Sequence, residues 1–385
     1  MDHQPSSRAQ QVTPFLVMQL LDQAKEMVAR GDDVVRLEAG EPDLPTPQPV
    51  LQAAQRAVSQ GLTGYTLSPG TIELREAICS WYADSYGVEL PADRVLVTSG
   101  TSPGMLLAMA AVVAPGEEVL IADPGYPGYT NVARFLEAEI KHFRVLEPEG
   151  FVYSAQRIAE LVTDRTKVIM VNSPANPTGA RVPAQELKEI CSLGPWVISD
   201  EIYHGLSYRP GRCHTVLEYT DHAFVLNGFS KRYAMPGLRL GWMIVPEPCL
   251  RAVRNMNMNF YLGANSISQA AGLAALKEAD ADLARMREIY RQRRNLIVRR
   301  LRDIGFGVPI SPAGAFYVFA NAKRFCQDSV AFARDLLEAV KVSVTPGLDF
   351  GPAGEGYLRF SYAVDAARIA EGMNRIESYL ARRPG

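Results

Sequence analysis

Asn227-Gly228-Phe229-Ser230-Lys231-Arg232-Tyr233-Ala234-Met235-Pro236-Gly237-Leu238-Arg239-Leu240-Gly241-Trp242 follows a short apolar run that ends at Leu226. The run reads as a buried strand, and the glycines, serine and proline after it read as a turn opening at the strand's carboxyl end. A lysine in such a turn can lose its proton through burial or a neighbouring cation and act as an amine nucleophile. Arg239 adds a permanent charge suited to phosphate. Taken singly, each basic residue reads equally well as a surface charge.

The same pattern recurs upstream. In open α/β sheets ligands gather at the carboxyl ends of strands, so those ends carry the reading. After Val95-Leu96-Val97-Thr98 come Ser99-Gly100-Thr101-Ser102 and a helical stretch. Small residues at a helix N-terminus present N–H groups and hydroxyls to a phosphate, although an ordinary capped helix has the same look. After Val119-Leu120-Ile121 a Pro/Gly turn presents Tyr126 and Tyr129, where a ring can stack on a planar ligand or simply pack the turn. After Val168-Ile169-Met170-Val171, two asparagines and two prolines stiffen the loop Asn172 to Gly179 and fix the Asn176 amide. After Trp196-Val197-Ile198-Ser199 comes Asp200-Glu201-Ile202-Tyr203, a carboxylate that needs a partner or solvent at a buried strand end.

The chain has 385 residues, enough for two domains. Apolar residues at 47% support a large core, and a net charge of −2 is no footprint for nucleic acid or an anionic membrane. Five scattered cysteines, none spaced C-x-x-C, argue against a disulfide framework or a zinc ribbon, and no metal site is expected. No apolar run is long enough to span a bilayer, and the N-terminus lacks a signal core, so a cytoplasmic protein is expected. Short apolar runs alternating with helical stretches predict an α/β fold: a mainly parallel sheet covered by helices on both faces, plus a smaller C-terminal α/β domain. The expected division is a disordered lead over 1–12, an N-terminal segment over 13–45 packing with the small domain, a large domain over 46–285 and a small domain over 286–385.

Together, five strand ends offer a phosphate cup, an aromatic plate, an amide, a carboxylate and a lysine with an arginine. This inventory matches pyridoxal 5′-phosphate. The strings N-P-T-G (176–179), D-E-I-Y (200–203) and S-K-x-x-x-x-P-G-x-R-x-G (230–241), in this order, resemble those of the class I/II aminotransferases of the aspartate aminotransferase fold, fold type I. The resemblance covers essentially the whole chain. It implies transfer of an amino group between an L-amino acid and a 2-oxo acid. It implies that Lys231 forms the Schiff base and moves the proton, that Asp200 holds the pyridine nitrogen protonated, and that Tyr126 stacks on the ring. Asn176 and Tyr203 would bond the phenolic oxygen, and Gly100, Thr101, Ser102 and Arg239 the phosphate. Tyr65 resembles a tyrosine that reaches the phosphate of the neighbouring subunit, which implies a homodimer with shared sites. Arg359 matches the arginine that clamps the substrate α-carboxylate, with the Gly40 backbone and Asn176 beside it. One departure is Gly228, where many members carry a phosphate-binding serine; either Arg239 and the backbone cup do more, or Ser230 compensates.

Dicarboxylate-specific members add a second cation, from a partner's arginine or from a lysine in the phosphate cup. Here no Lys or Arg lies between Arg254 and Lys277, and Ser102 stands in the cup. Phe15, Val17 and Met18 of the entry helix are apolar. A neutral amino donor is therefore expected, with Arg232 as the cation that would instead allow an acidic one. The same scaffold also serves aspartate aminotransferases, lyases and decarboxylases. A regulator's effector domain is disfavoured because only a dozen residues precede the fold, and a nicotinamide enzyme because no G-x-G-x-x-G follows the first strands.

Overall fold

The computed structural model describes residues 4–382. Ser7–Gln10 (α1) forms one helical turn within the stretch expected to be a disordered lead, of which residues 1–3 lie outside those described. α2 (Leu16–Ala29), β1 (Val35–Arg36), α3 (Gln48–Ser59) and α4 (Ile72–Tyr86) follow. Alternation then runs through β2 (Val95–Thr98), α5 (Thr101–Val112), β3 (Glu118–Asp123), α6 (Pro127–Phe135), β4 (Glu139–Arg144), α7 (Ala155–Ala159), β5 (Thr166–Asn172), α8 (Ala184–Cys191), β6 (Trp196–Asp200), β7 (Ala223–Gly228) and β8 (Gly241–Ile244). After α9 (Leu250–Tyr261), α10 (Ser266–Glu278) and α11 (Asp280–Ile304) come β9 (Tyr317–Asn321), α12 (Ser329–Val340), β10 (Val342–Ser343), β11 (Thr345–Pro346), β12 (Tyr357–Ser361) and α13 (Ala366–Leu380).

β2 to β8 form one sheet in the order β2-β8-β7-β6-β5-β3-β4. Its strands run parallel except β8, which is antiparallel to both neighbours. The apolar runs sort by a period of two into two cores. Val97, Leu120, Ile169, Val197, Val225 and Trp242 face one, and Leu96, Ile121, Met170, Ile198, Phe224 and Met243 face the other. Burial on both faces is why these strands read as continuous apolar runs rather than as alternation.

A three-stranded antiparallel sheet, β11-β12-β9, forms near the C-terminus. β1 pairs in parallel with β10, and α2 packs on β10 and β11 through Leu20, Ala24 and Met27. Residues near both chain ends thus lie together. α10 leaves no amphipathic signature in the sequence, whereas α9 has an apolar stripe interrupted by poor helix formers. Asn255, Asn257 and Asn259 lower the helix propensity of α9, and α10 is buried on too many sides to show a polar face.

β7 and β8 meet at Gly228 opposite Gly241, and Gly241 in turn stands opposite Thr98 of β2. A Cβ on Gly228 would lie 2.9 Å from the Gly241 Cα and 3.1 Å from the Leu240 carbonyl. Backbone, not a movable side chain, fills the space, so no serine fits there without displacing β8. Gly228→Ala should therefore lower the unfolding free energy by about 1–3 kcal/mol, the usual range for overpacking. Chemical denaturation of the two proteins measures this, and equal midpoints would contradict the close approach.

Candidate active site

Pyridoxal-site residues come together at the carboxyl ends of β2, β3, β5, β6 and β7, around a cavity of about 370 Å³. That volume lies within the range of small-molecule sites, roughly 300–1,000 Å³. Gly40, Gly100, Thr101, Ser102, Tyr126, Asn176, Asp200, Tyr203, Ser230, Lys231, Arg239 and Arg359 all line it. Tyr65 does not; its side chain is 92% exposed on a surface loop. Arg232 is also absent from the lining. Its guanidinium lies over the rings of Trp81 and Tyr233, 5.3 Å from each centroid.

The phosphate end is set by backbone shape. Gly100 has φ +94°, and a Cβ there would come within 2.8 Å of an Arg239 Nη. Arg239 itself adopts a left-handed conformation, φ +48°, and donates to the Pro236 carbonyl at 3.1 Å. The cup therefore joins the N-terminus of α5 to a guanidinium, with the Thr101, Ser102 and Ser230 hydroxyls beside them.

Asp200 ends β6 directly opposite Asn172 of β5. Its carboxylate accepts the Tyr129 hydroxyl at 2.7 Å and the Ile202 N–H at 3.1 Å. Burial pushes its carboxyl up to about 6, against the lowering pull of Tyr129, the Ile202 N–H and Lys231. Asn172 donates to the Asp200 carbonyl at 3.0 Å and accepts the Asn176 N–H at 2.8 Å, locking the loop to the strand end. Lys231 donates to the Gly40 carbonyl at 2.7 Å. Burial lowers its amine to about 8; Arg359 and Arg239 add to this, while Glu41 and Asp200 oppose it. An amine so depressed is deprotonated far more readily than a surface lysine.

Arg359 is anchored from three sides. It donates to Asn176 Oδ1 at 2.9 Å, the Glu38 carbonyl at 2.9 Å and Thr345 Oγ1 at 3.1 Å. Its guanidinium lies 4.3 Å from the Tyr317 ring centroid and 4.9 Å from that of Phe350. Its buried Nε finds no partner among the described residues. The Tyr203 and Tyr317 hydroxyls meet at 3.0 Å, and Tyr126 carries the Phe15 ring stacked 6.1 Å away.

Sequence reasoning missed Tyr129, Asn172 and Tyr317 as supporting residues. The first two stand in the stretches already singled out, but only the β5–β6 register and the turn into α6 show which atoms they reach. Tyr317 sits on an apolar strand and looks like core.

The residues fit pyridoxal 5′-phosphate group by group: an anion cup with a guanidinium, an aromatic face, a buried carboxylate for a ring nitrogen and a depressed amine for an aldehyde. Fold and site thus define a pyridoxal-phosphate-dependent enzyme of fold type I. The family described as aminotransferase class I and II matches residues 32–376. A (5-formylfuran-3-yl)methyl phosphate transaminase of Methanocaldococcus jannaschii is 36% identical over 97% of this chain and 99% of its own length. A valine–pyruvate aminotransferase of Mycobacterium tuberculosis is 38% identical over 96% of this chain and 97% of its own. The crystal structure of an aminotransferase from Mycobacterium tuberculosis superposes with a TM-score of 0.94 at 37% identity, covering 99% of this chain and 100% of that one. The chain belongs to the class I and II aminotransferases: it is a pyridoxal-phosphate-dependent transaminase.

Tyr129→Phe removes a hydrogen bond to a buried carboxylate while keeping the ring. Such bonds contribute about 1.5–3 kcal/mol, so kcat/KM should fall roughly 10- to 150-fold. Steady-state kinetics with saturating cofactor checks this, and an unchanged kcat/KM would remove Tyr129 from the support of Asp200.

Proposed function

We propose that this transaminase takes neutral amino donors, apolar ones included, and works in the cytoplasm as a homodimer with shared sites. The observation that carries the donor reading is the distribution of charge in the cavity. Its basic side chains, among the described residues, are Lys231, Arg239 and Arg359, and the cofactor and the donor α-carboxylate engage all three. The remaining wall offers Phe15, Val17, Met18, Leu21 and Phe350, together with the Asp349 carboxylate. An acidic donor side chain would be desolvated there without a partner, which is expensive. The name of the valine–pyruvate relative points the same way.

Bound pyridoxal 5′-phosphate supplies an aldehyde that condenses with amines and a ring that accepts electrons. Lys231 would hold the cofactor through its amine, and with that amine free it would carry the proton taken from the donor Cα. Asp200 would keep a proton on the ring nitrogen, whose charge would in turn favour the ionised carboxyl that burial alone raises to about 6. The Tyr203 hydroxyl and the Asn176 amide would bond the phenolic oxygen. Tyr126 would cover the ring face, and Gly100, Thr101, Ser102, Ser230 and Arg239 would hold the phosphate. Arg359 clamps the α-carboxylate beside the Gly40 backbone. In this reading residues 46–285 form the cofactor-binding domain, and 286–385 with 13–45 form the part that holds the donor.

Tyr65 is proposed to serve the partner's phosphate. Its loop is fixed from behind: Gln269 donates to Thr66 Oγ1 at 2.9 Å and accepts the Thr71 N–H at 2.8 Å, and Asn257 donates to the Ser68 carbonyl at 3.0 Å. Tyr65, Leu67, Met258, Phe260 and Leu262 are all exposed on this loop and the end of α9. An exposed apolar group of this kind marks an interaction surface, and a second copy is the occupant that gives Tyr65 a role.

With several 2-oxo acids as acceptors, aspartate should show kcat/KM at least about tenfold below valine, leucine or methionine, a difference of ~1.4 kcal/mol in transition-state binding. Aspartate above every neutral donor would refute the donor reading. Mixed dimers of Tyr65→Phe and Lys231→Ala chains test the shared site. One site then carries both lesions and the other neither, so isolated heterodimers should recover up to about half of wild-type activity at cofactor levels that leave the Tyr65→Phe parent largely empty. Activity no higher than either parent would refute sharing.

A further inference from the structure

We propose that Asp349 is a positioning residue for donor selection: its carboxylate fixes the first turn of α2 so that Phe15, Val17, Met18 and Leu21 form the wall against which the donor side chain packs. The proposal rests on the neutral-donor reading above. α2 begins without a local cap, because the residue before it is Phe15, whose side chain has no acceptor. The first N–H groups of a helix need a partner, and its positive end favours an anion. Here the partner comes from the far end of the chain. Asp349 Oδ1 accepts the Leu16 N–H at 2.7 Å, and Oδ2 lies 3.4 Å from the Val17 N–H. The carboxylate is 8% exposed and lines the cavity itself.

Other polar ties to the first turn are weaker; further along, α2 is also held by Leu20, Ala24 and Met27 packed on β10 and β11. Thr13 and Asn131 exchange hydrogen bonds at an exposed position, and Phe15 stacks loosely on Tyr126. Burial raises the Asp349 carboxyl, and the Leu16 and Val17 N–H groups draw it back down; its partly buried bond to Leu16 is the firmest polar tie at this turn. The neighbour of Asp349 adds the second half of the argument. Phe350 packs against the Arg359 guanidinium. Two consecutive residues therefore hold the apolar wall and touch the group proposed to clamp the donor's α-carboxylate. The spacing between clamp and wall, which a long side chain must match and alanine need not, is set at this step.

The test compares leucine with alanine as donors for the holoenzyme. In Asp349→Ala, kcat/KM for leucine should fall about tenfold, mainly through KM, while alanine stays within about twofold, since wall contacts are worth a factor of this order per methylene. Asp349→Asn keeps an oxygen acceptor for the Leu16 N–H and should restore the ratio. Leu16→Pro removes the donor instead of the acceptor. Proline suits the first helical position, and Phe15 already has the extended conformation it requires, so this variant should reproduce the loss. Equal losses for both donors in Asp349→Ala, an unchanged ratio, or an Asp349→Asn as impaired as the alanine variant would each overturn the proposal. The wild-type comparison of aspartate with leucine tests the neutral-donor reading separately. Its failure, with the leucine-to-alanine ratio still dependent on Asp349, would leave the positioning role standing.

Discussion

A buried carboxylate at the end of a central strand is the constraint around which the site is organised. Desolvation raises the Asp200 carboxyl to about 6, and the Tyr129 hydroxyl and Ile202 N–H offset only part of that cost. The arrangement is incomplete until a cation faces it, and a protonated pyridine nitrogen is such a cation. Lys231 is the complementary case. It is an amine kept near 8 by burial and two guanidinium groups, ready to be neutral where a surface lysine would be charged. The two groups are pushed in opposite directions by one environment, each toward its neutral form, which suits a site that binds by forming a covalent bond at one end and an ion pair at the other.

The sheet makes this geometry possible. Parallel strands bring successive carboxyl ends to one edge, and register decides which residues meet there. Asn172 stands opposite Asp200, and Gly228 opposite Gly241, with Thr98 on the far side of Gly241. Because β8 runs antiparallel, the chain returns past the phosphate cup immediately after Lys231, which is how Arg239 comes to lie beside Gly100. Glycine at 228 is then a packing requirement. The phosphate contact that a serine would offer there is proposed to fall to groups that line the cavity without crowding β8, Ser230 and Arg239 among them.

Much of this was legible in the chain. Strands buried on both faces leave uninterrupted apolar runs, and glycine, proline and asparagine mark the turn after each of them. β2, β3, β5, β6 and β7 and the residues at their carboxyl ends could therefore be read directly. The supports could not. Tyr129 is one of two tyrosines in a turn, and only the fold shows that it, not Tyr126, reaches Asp200. Tyr317 meets Tyr203 across 114 residues, and Asp349 meets Leu16 across 333; pairings so distant leave no local pattern. Arg232, next to the lysine, looked equally able to enter the cavity, but the rings of Trp81 and Tyr233 hold it elsewhere.

The division of labour along the chain follows from these contacts. Phosphate cup, ring plate and carboxylate come from the large sheet, whose strand ends are fixed by two cores and by register. The proposed donor contacts come from residues 15–40 and 349–359, which belong to smaller sheets joined by the β1–β10 pairing and by α2. Arg359 bridges the two sets: its guanidinium bonds Asn176 of the large sheet's loop and the Glu38 carbonyl of the N-terminal segment. Such a partition lets donor selection change through α2 and its anchor while the cofactor machinery stays intact. Fold alone therefore does not fix the substrate here: the strand ends carry the proposed cofactor contacts, and the segment that packs over them carries the wall proposed to select the donor side chain.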